Sequence, residues 1–299
     1  MTKPINRKLV ALASAVALVP GLLTVGSQAH AEPTDTLTSY LFVNFTGLES
    51  SPDMEQIYFS TSQDGHFWQD LNDREPILTS EVGETGVRDP YIVRKRDDSG
   101  FFLIATDLSI YHRGGWGNTD ATADGSHSIV VWESADLVDW GEPRLVDIAP
   151  EGAGMVWAPE AIWDEEAEAW MVYWTSKTPG GTGDHLKIYY AHTTDFQTFT
   201  EAQLYIDRGA GSTIIDTDII KVEDTYFRAS GDGQLTIEKS ENGLHGDWER
   251  ISDLQGLGFG LTGGDVEGPQ FFKYNDDDAP LDDQGNPVDQ WALLVDQYG

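Results

Sequence analysis

From Tyr40 onward, short runs rich in β-branched and aromatic residues alternate with polar turns, and no long stretch carries the 3.6-residue period of an amphipathic helix. Three kinds of run recur in a fixed order. The first spans Val87–Val93, Val156–Ile162, Ile214–Ile220 and Val266–Phe272. The second spans Phe101–Thr106, Trp170–Thr175, Thr225–Ser230 and Trp291–Gln297, entered through polar turns such as Arg96–Gly100. The third spans Gln56–Phe59, Ser128–Trp132, Lys187–Tyr190 and Leu235–Glu238. After each of these comes one template: a hydroxyl residue, an acid two positions later and an aromatic ring six positions later. Its copies are Ser62, Asp64 and Trp68; Ser134, Asp136 and Trp140; and Thr193, Asp195 and Phe199, with Ser240, Asn242 and Trp248 as a looser fourth.

Taken in order, the runs read as the inner, middle and outer strands of a unit about 50 to 70 residues long. Such a repeat of strands and turns predicts an all-β fold, a β-propeller whose blades pack face to face. Tyr40–Phe45 and Gln56–Ser60 supply a middle and an outer strand with no inner strand before them, and the last unit reaches Gly299 without an outer strand. Three whole units and these two partial ones make a five-bladed β-propeller with its closing blade incomplete. The pattern therefore predicts a C-terminally truncated chain whose N-terminal strands close the ring, leaving exposed strand edges.

Composition agrees with a packed chain: 39% of the 299 residues are hydrophobic and 23% charged, with 10 Trp, 11 Tyr and 12 Phe available for core and for stacking on flat ligands. Acidic residues number 51 against 18 Lys plus Arg, a formal charge of -33. A phosphate backbone would be repelled, which excludes nucleic acid as a partner. The absence of cysteine excludes disulfides, thiol catalysis and thiolate metal sites. The seven His form no H-E-x-x-H or similar metal motif, and the Asp-rich stretch Asn275–Asp289 lacks the spacing of a calcium loop and reads as a solvated hairpin.

The N-terminus has a different character. Lys3, Arg7 and Lys8 precede an apolar run from Leu9 to Val25, and Ala29-His30-Ala31 places small residues where a signal peptidase cuts. Residues 1–31 are expected to be a signal peptide, leaving a secreted domain over 32–299 with no membrane segment. Pro20, Gly21 and the short length count against an uncleaved span of about 20 apolar residues.

The chemistry falls on the inner strands, which line the central channel of a propeller and so bring distant residues together. Asp89 and Asp216 occupy the same third slot of their strands. Glu267 stands one position earlier, beside Gly268-Pro269, where a bend can re-aim the side chain; strict alternation would turn it to the other face. Three converging carboxyls with no thiol, basic cluster or phosphate loop suit acid–base work on a glycosidic bond. The alternative role for such acids is to accept backbone hydrogen bonds at turns.

At these residues the sequence resembles glycoside hydrolase family 43. The motifs are Asp89-Pro90, Trp157-Ala158-Pro159-Glu160, Ile215-Asp216 and Glu267-Gly268-Pro269, in that order, with Thr217 where the family usually has Pro. The resemblance implies that Asp89 is the general base and Glu267 the general acid. It makes Asp216 the third carboxyl, which orients Glu267 and raises its pKa through like-charge repulsion. It also implies inversion at the anomeric carbon, with base and acid about 6.5 to 9.5 Å apart. Trp157 and Trp116 are candidates for a stacking floor, the alternative being core packing. Arg88 is a candidate for holding a sugar hydroxyl or orienting Asp89, the alternative being a structural ion pair. Glu160 is a candidate hydroxyl ligand only. No cofactor is required, although the resemblance admits a structural Ca2+ in the channel.

The implied substrate is a plant polysaccharide or oligosaccharide, arabinan or arabinoxylan, attacked as an exo α-L-arabinofuranosidase. A β-xylosidase, an exo-β-1,3-galactanase or a non-catalytic carbohydrate-binding propeller are the alternatives. Pocket loops at Leu108–Gly125 and Thr178–Asp184 would choose among them. A sialidase-like propeller is suggested by Ser62-Gln63-Asp64-Gly65 with Trp68 but lacks a cluster of Arg for a carboxylate substrate.

Overall fold

A computed structural model describes residues 39–179, 184–233, 235–254, 266–275, 278–286 and 291–297. The expected signal peptide, 1–31, and the tip of the loop at Thr178–Asp184 lie outside the described residues. The described chain is all-β, with three short 3-10 turns and five antiparallel sheets. The first sheet contains β1 (Tyr40–Asn44), β2 (Tyr58–Ser62) and β3 (Trp68–Asp70). The second contains β4 (Val87–Arg94), β5 (Phe101–Asp107), β6 (Ser128–Ser134) and β7 (Arg144–Asp147). The third contains β8 (Trp157–Asp164), β9 (Ala169–Thr178), β10 (His185–Thr193) and β11 (Gln203–Ile206). In the fourth are β12 (Ile215–Val222), β13 (Thr225–Gly231), β14 (Thr236–Ser240) and β15 (Glu249–Ser252), and in the fifth β16 (Val266–Lys273) and β17 (Trp291–Gln297).

The middle strands read as nearly continuous apolar runs because both of their faces are covered. In β5, Phe102 and Ile104 pack with Val156, Val172 and Trp174 of the third sheet, while Leu103 and Ala105 pack with Ile57 and Phe59 of the first. Side chains at successive positions point to opposite faces, so one strand feeds two separate cores. The same arrangement continues around the molecule: Met171, Tyr173 and Ile188 meet Ile219 and Tyr226 between the third and fourth sheets, and Ala229 meets Val266 between the fourth and fifth. The first and last sheets also touch. Tyr40 lies edge-on to Phe272 at 6.1 Å and donates its hydroxyl to Asp278 at 2.9 Å, and His66 stacks on Tyr274 at 5.2 Å. Gly65 is required here, since its φ is +75° and a Cβ would stand 3.0 Å from the Tyr274 ring. The sheets are therefore the blades of a closed β-propeller.

Each blade with a recurring template has an outermost strand beyond those expected, the third strand of the first sheet and the fourth of the next three. These strands are only three or four residues long and mostly exposed, so they carry no apolar alternation that would mark them in the sequence. The template is the hairpin that reaches them. Ser134 Oγ accepts the amides of Asp136 and Leu137 at 3.1 and 3.0 Å, and Asp136 Oδ1 accepts those of Val138 and Asp139, both at 2.9 Å. Asp64 and Asp195 accept two amides in the same way. The residue after the acid is left-handed in all four copies, at Gly65, Leu137, Phe196 and Gly243. Asn242 leaves the fourth copy without the charged acceptor. Among the described residues no helix is long and apolar enough to cross a membrane.

The amides that hold Asp64, Asp136 and Asp195 keep these carboxyls below the usual range. Their stabilisation is present above the unfolded pKa, near 3.9, and is lost as pH falls through the depressed values. A triple Asp→Asn variant at these positions should lose less thermal stability than the wild type when unfolding is followed from about pH 4 downward.

Candidate active site

The four inner strands that carry the motifs share one irregularity. In β4 the pairing with β5 runs from Arg88 opposite Thr106 to Tyr91 opposite Ile104, so Asp89 and Pro90 together face a single residue. The same bulge occurs in β8 between Trp157 and Glu160 and in β16 between Glu267 and Gln270, while in β12 Asp216 is the extra residue. Within each bulge one residue is left-handed: Asp89 at φ 49°, Ala158 at 48°, Asp216 at 48° and Gly268 at 57°. For a residue with a Cβ this conformation costs roughly 1–2 kcal/mol, a strain that the packed blades on either side must hold. The bulge also removes the objection that strict alternation raised against Glu267, which shares a pocket with Asp89 and Asp216 despite its earlier slot.

Electrostatics puts the three acids together. The Asp216 carboxyl is raised well above its ordinary value by burial and then by the charges of Asp89 and Glu267. Glu267 is raised by burial, by Asp89 and by Asp296, with Arg88 opposing. Burial likewise raises Asp89, against the Arg88 charge and hydrogen bonds from Thr106 and the Ala158 amide. The charge of Glu267 raises Asp216, whereas the rise at Glu267 comes from burial, Asp89 and Asp296 and not from Asp216 as the resemblance implies. Asp216 Oδ2 accepts the Gly268 amide at 3.3 Å, which ties it to the residue beside Glu267. Thr106, fully buried on β5, donates to Asp89 Oδ2 at 2.7 Å and accepts the Ala158 amide at 2.7 Å, joining two inner strands through one hydroxyl.

Two positions further along each inner strand stand Tyr91, Glu160, Asp218 and Gln270. Glu160 accepts the Tyr173 hydroxyl at 3.1 Å, and Asp218 Oδ2 accepts the Phe271 amide at 2.5 Å and Gln270 Nε2 at 3.1 Å. Glu160 is raised well above its ordinary value by burial and by Asp218 beside it, and burial raises Asp218 to about 6. Asp218 Oδ1 is buried without a hydrogen-bond partner. Glu160 thus pairs mainly with Asp218 and Tyr173, and the charge of Asp216 also reaches it.

A family model described as a probable glycosyl hydrolase domain, related to glycosyl hydrolase family 43, matches residues 35–299. The chain belongs to this family-43-related group. An α-L-arabinofuranosidase of Bifidobacterium longum subsp. longum is 29% identical over 209 residues, 64% of this chain and 19% of that protein. The chain therefore spans about a fifth of that relative's length. The crystal structure of a thermostable family-43 glycoside hydrolase has a TM-score of 0.58 at 12% identity, covering 87% of this chain and 86% of that one. An endo-1,4-β-xylanase structure from Bacteroides thetaiotaomicron has a TM-score of 0.55 at 14% identity, covering 87% and 90%. At these identities the likeness is one of fold.

In this family-43-related domain Trp116 and Trp157 meet edge-to-face at 6.1 Å, which is not the geometry of a flat floor. Trp157 packs against Leu108, Ile110 and Ala121, as its core-packing alternative has it, while Trp116 is about half exposed and donates to Glu49 at 3.1 Å. Trp157 Nε1 is buried and has no partner. Arg88 takes its ion-pair alternative: Nη1 donates to Glu49 at 3.1 Å and to Glu55 at 3.0 Å, and its guanidinium lies 4.7 Å from the Phe45 ring. Its charge still opposes the rise at Asp89. Glu55, fully buried, also accepts the Ile110 and Tyr111 amides at 2.8 and 3.0 Å and the Ser109 hydroxyl at 2.8 Å, anchoring the loop that carries Trp116. Two residues were not foreseen from the sequence. Glu55 lies in a 3-10 turn outside every repeat and gives no signal, whereas Asp296 faces Glu267 across β16 and β17 in the slot that Thr106 fills opposite Arg88. Aligning the ends of the middle strands would have found Asp296.

Thr106→Val takes from the buried Ala158 amide its hydroxyl acceptor and from Asp89 its hydroxyl donor. It should lower unfolding stability in urea by about 1–3 kcal/mol, and Thr106→Ser should restore most of the loss.

Proposed function

We propose that the chain is a secreted, inverting glycosidase that removes α-L-arabinofuranosyl units from plant polysaccharide side chains such as those of arabinan and arabinoxylan. The observation that carries this reading is the approach of Asp89, Asp216 and Glu267, from three different blades, to within electrostatic reach of one another, Asp89 and Glu267 raising Asp216 and Asp89 raising Glu267. A raised Glu267 holds its proton toward neutral pH and can donate it to the leaving oxygen. Asp89 takes a proton from water on the opposite face, the water oxygen bonds to the anomeric carbon, and the glycosidic C–O bond breaks as the leaving oxygen takes the Glu267 proton. Asp216 acts as a positioning residue through the Gly268 amide. The half-exposed Trp116 supplies an apolar wall for a sugar face, backed edge-on by Trp157.

The choice of sugar is supported by the name of the Bifidobacterium longum relative and by charge, since a neutral polymer meets no repulsion from a chain at -33. Secretion is supported by the basic, apolar and small-residue succession of residues 1–31. The oxygens of Glu160 and Asp218, one of them buried without a partner, suit a structural Ca2+. Bound there, the ion would offset the repulsion between these two carboxyls.

Glu267→Ala should cut kcat/KM on a natural arabinoside by roughly 10²–10⁴-fold while retaining more activity on an aryl glycoside whose leaving group needs little protonation. Asp89→Ala should lose both activities. NMR should detect the inverted anomer first; a retained anomer, or equal residual rates for the two variants on both substrates, refutes the assignment. Removing the Asp296 charge in Asp296→Asn lowers the Glu267 pKa, so the alkaline limb of the kcat/KM profile should move to lower pH.

A further inference from the structure

We propose that Asp164, His192 and His245 form a binding site for a divalent cation of the zinc class that links the third blade to the fourth. Asp164 ends β8, His192 lies on β10, and His245 sits in the turn between β14 and β15. The three donor atoms, one from each residue, lie within 4.8 Å of one another. His192 Nε2 is 2.9 Å and His245 Nε2 3.2 Å from the same oxygen, Asp164 Oδ2. A tetrahedral zinc with bonds near 2.0–2.2 Å needs donors roughly 3.3–3.5 Å apart, so the two carboxylate–imidazole edges open by a few tenths of an ångström, while the edge between the imidazoles, within 4.8 Å, closes by up to about an ångström through rotation of the exposed His245 ring.

The surroundings hold this arrangement before any ion arrives. Asp164 Oδ1 accepts the amides of Glu166 and Ala167 at 2.9 and 3.2 Å, which fixes the carboxylate and leaves Oδ2 for the imidazoles. Tyr205 donates to the Leu244 carbonyl at 2.7 Å, pinning the residue next to His245 onto the third blade. Tyr190 lies against both imidazoles, at 5.5 Å from His192 and 5.1 Å from His245. Asp164 is buried at 6% exposure, yet its hydrogen-bond partners here are two imidazoles and two amides. A divalent cation would match that buried anion. His245 is 38% exposed, which gives an ion a route in and a solvent-facing coordination position. Imidazole and carboxylate donors suit zinc better than calcium or magnesium, and each ring would coordinate through Nε2 with its proton on Nδ1. The residues are far apart in sequence and lie on two blades, so no local motif marks the site.

The test is a Zn2+ titration of the full chain after chelator treatment, read by calorimetry and by thermal unfolding. The wild type should bind one zinc per chain, with the melting temperature raised by roughly 4–8 °C at about a hundredfold excess over Kd. His192→Gln and His245→Gln should each weaken binding at least about tenfold and abolish that rise. His245 is exposed, so its variant decides the matter even if His192→Gln does not fold. No one-to-one binding in the wild type, or binding within about twofold of wild type in folded His245→Gln, overturns the proposal. The readouts do not involve sugar, so they stand apart from the glycosidase reading.

Discussion

Like charges confined to a poorly hydrated channel repel, and the rest of the molecule is arranged around withstanding that repulsion. Asp89, Asp216 and Glu267 lie within electrostatic reach of one another, with the more exposed Asp296 acting on Glu267, and Glu160 and Asp218 stand close enough for Asp218 to raise Glu160. No single blade could hold these groups, since each contributes only one or two and the unfolded chain keeps them far apart. The cores between successive blades, built from both faces of every middle strand, supply the cohesion that keeps them close. Raised pKa values are the residue of that contest, and they are what acid–base chemistry at a glycosidic bond requires.

The bulges translate this cohesion into aim. An unbroken strand would send alternate residues into the channel and into the neighbouring core, giving one acid per strand at a fixed height. The left-handed residue in each inner strand breaks the alternation, so Arg88 can approach Asp89 and Glu267 can join acids that occupy a different slot. Three of the four left-handed residues precede a proline, which offers no amide and so does not compete for the hydrogen bonds of the pleat. Thr106 and the Gly268 amide then fasten neighbouring bulges to each other across blades. Preorganisation here is a property of the ring.

How much of this is legible in the sequence follows from which positions are buried. Inner and middle strands announced themselves because both of their faces are covered, and the hairpin template announced itself because a hydroxyl and a carboxyl must accept specific amides. The outermost strands were invisible since water covers most of their residues and permits almost any side chain. Asp89, Asp216 and Glu267 stood beside proline or inside an apolar run, where an acid is conspicuous. Glu55, Asp296 and the Asp164, His192 and His245 cluster were not conspicuous, because their meaning depends on which blade lies next to which. Arg88 shows the limit from the other side: its position beside Asp89 was readable, but the two glutamates that hold it come from a turn with no pattern of its own.

The scarcity of cations adds a final constraint. With 18 Lys plus Arg against 51 acids, the cations are too few to neutralise most carboxylates, and some of the arginines join separate strands or loops. Arg113 grips Glu84 with two nitrogens at 2.7 Å. Arg208 binds both oxygens of Glu238, and Arg228 adds a third bond to that carboxylate while lying 4.1 Å from the Trp248 ring. Buried pairs of this kind add little net stability compared with apolar packing, yet losing one partner costs about 3–5 kcal/mol, because the other charge is left stranded. They therefore specify which elements dock more than they stabilise the docked state. The surplus acids repel one another at a range that salt shortens, so the same composition that leaves neutral polysaccharide unopposed makes the ring depend on its inner cores and few arginines to stay closed.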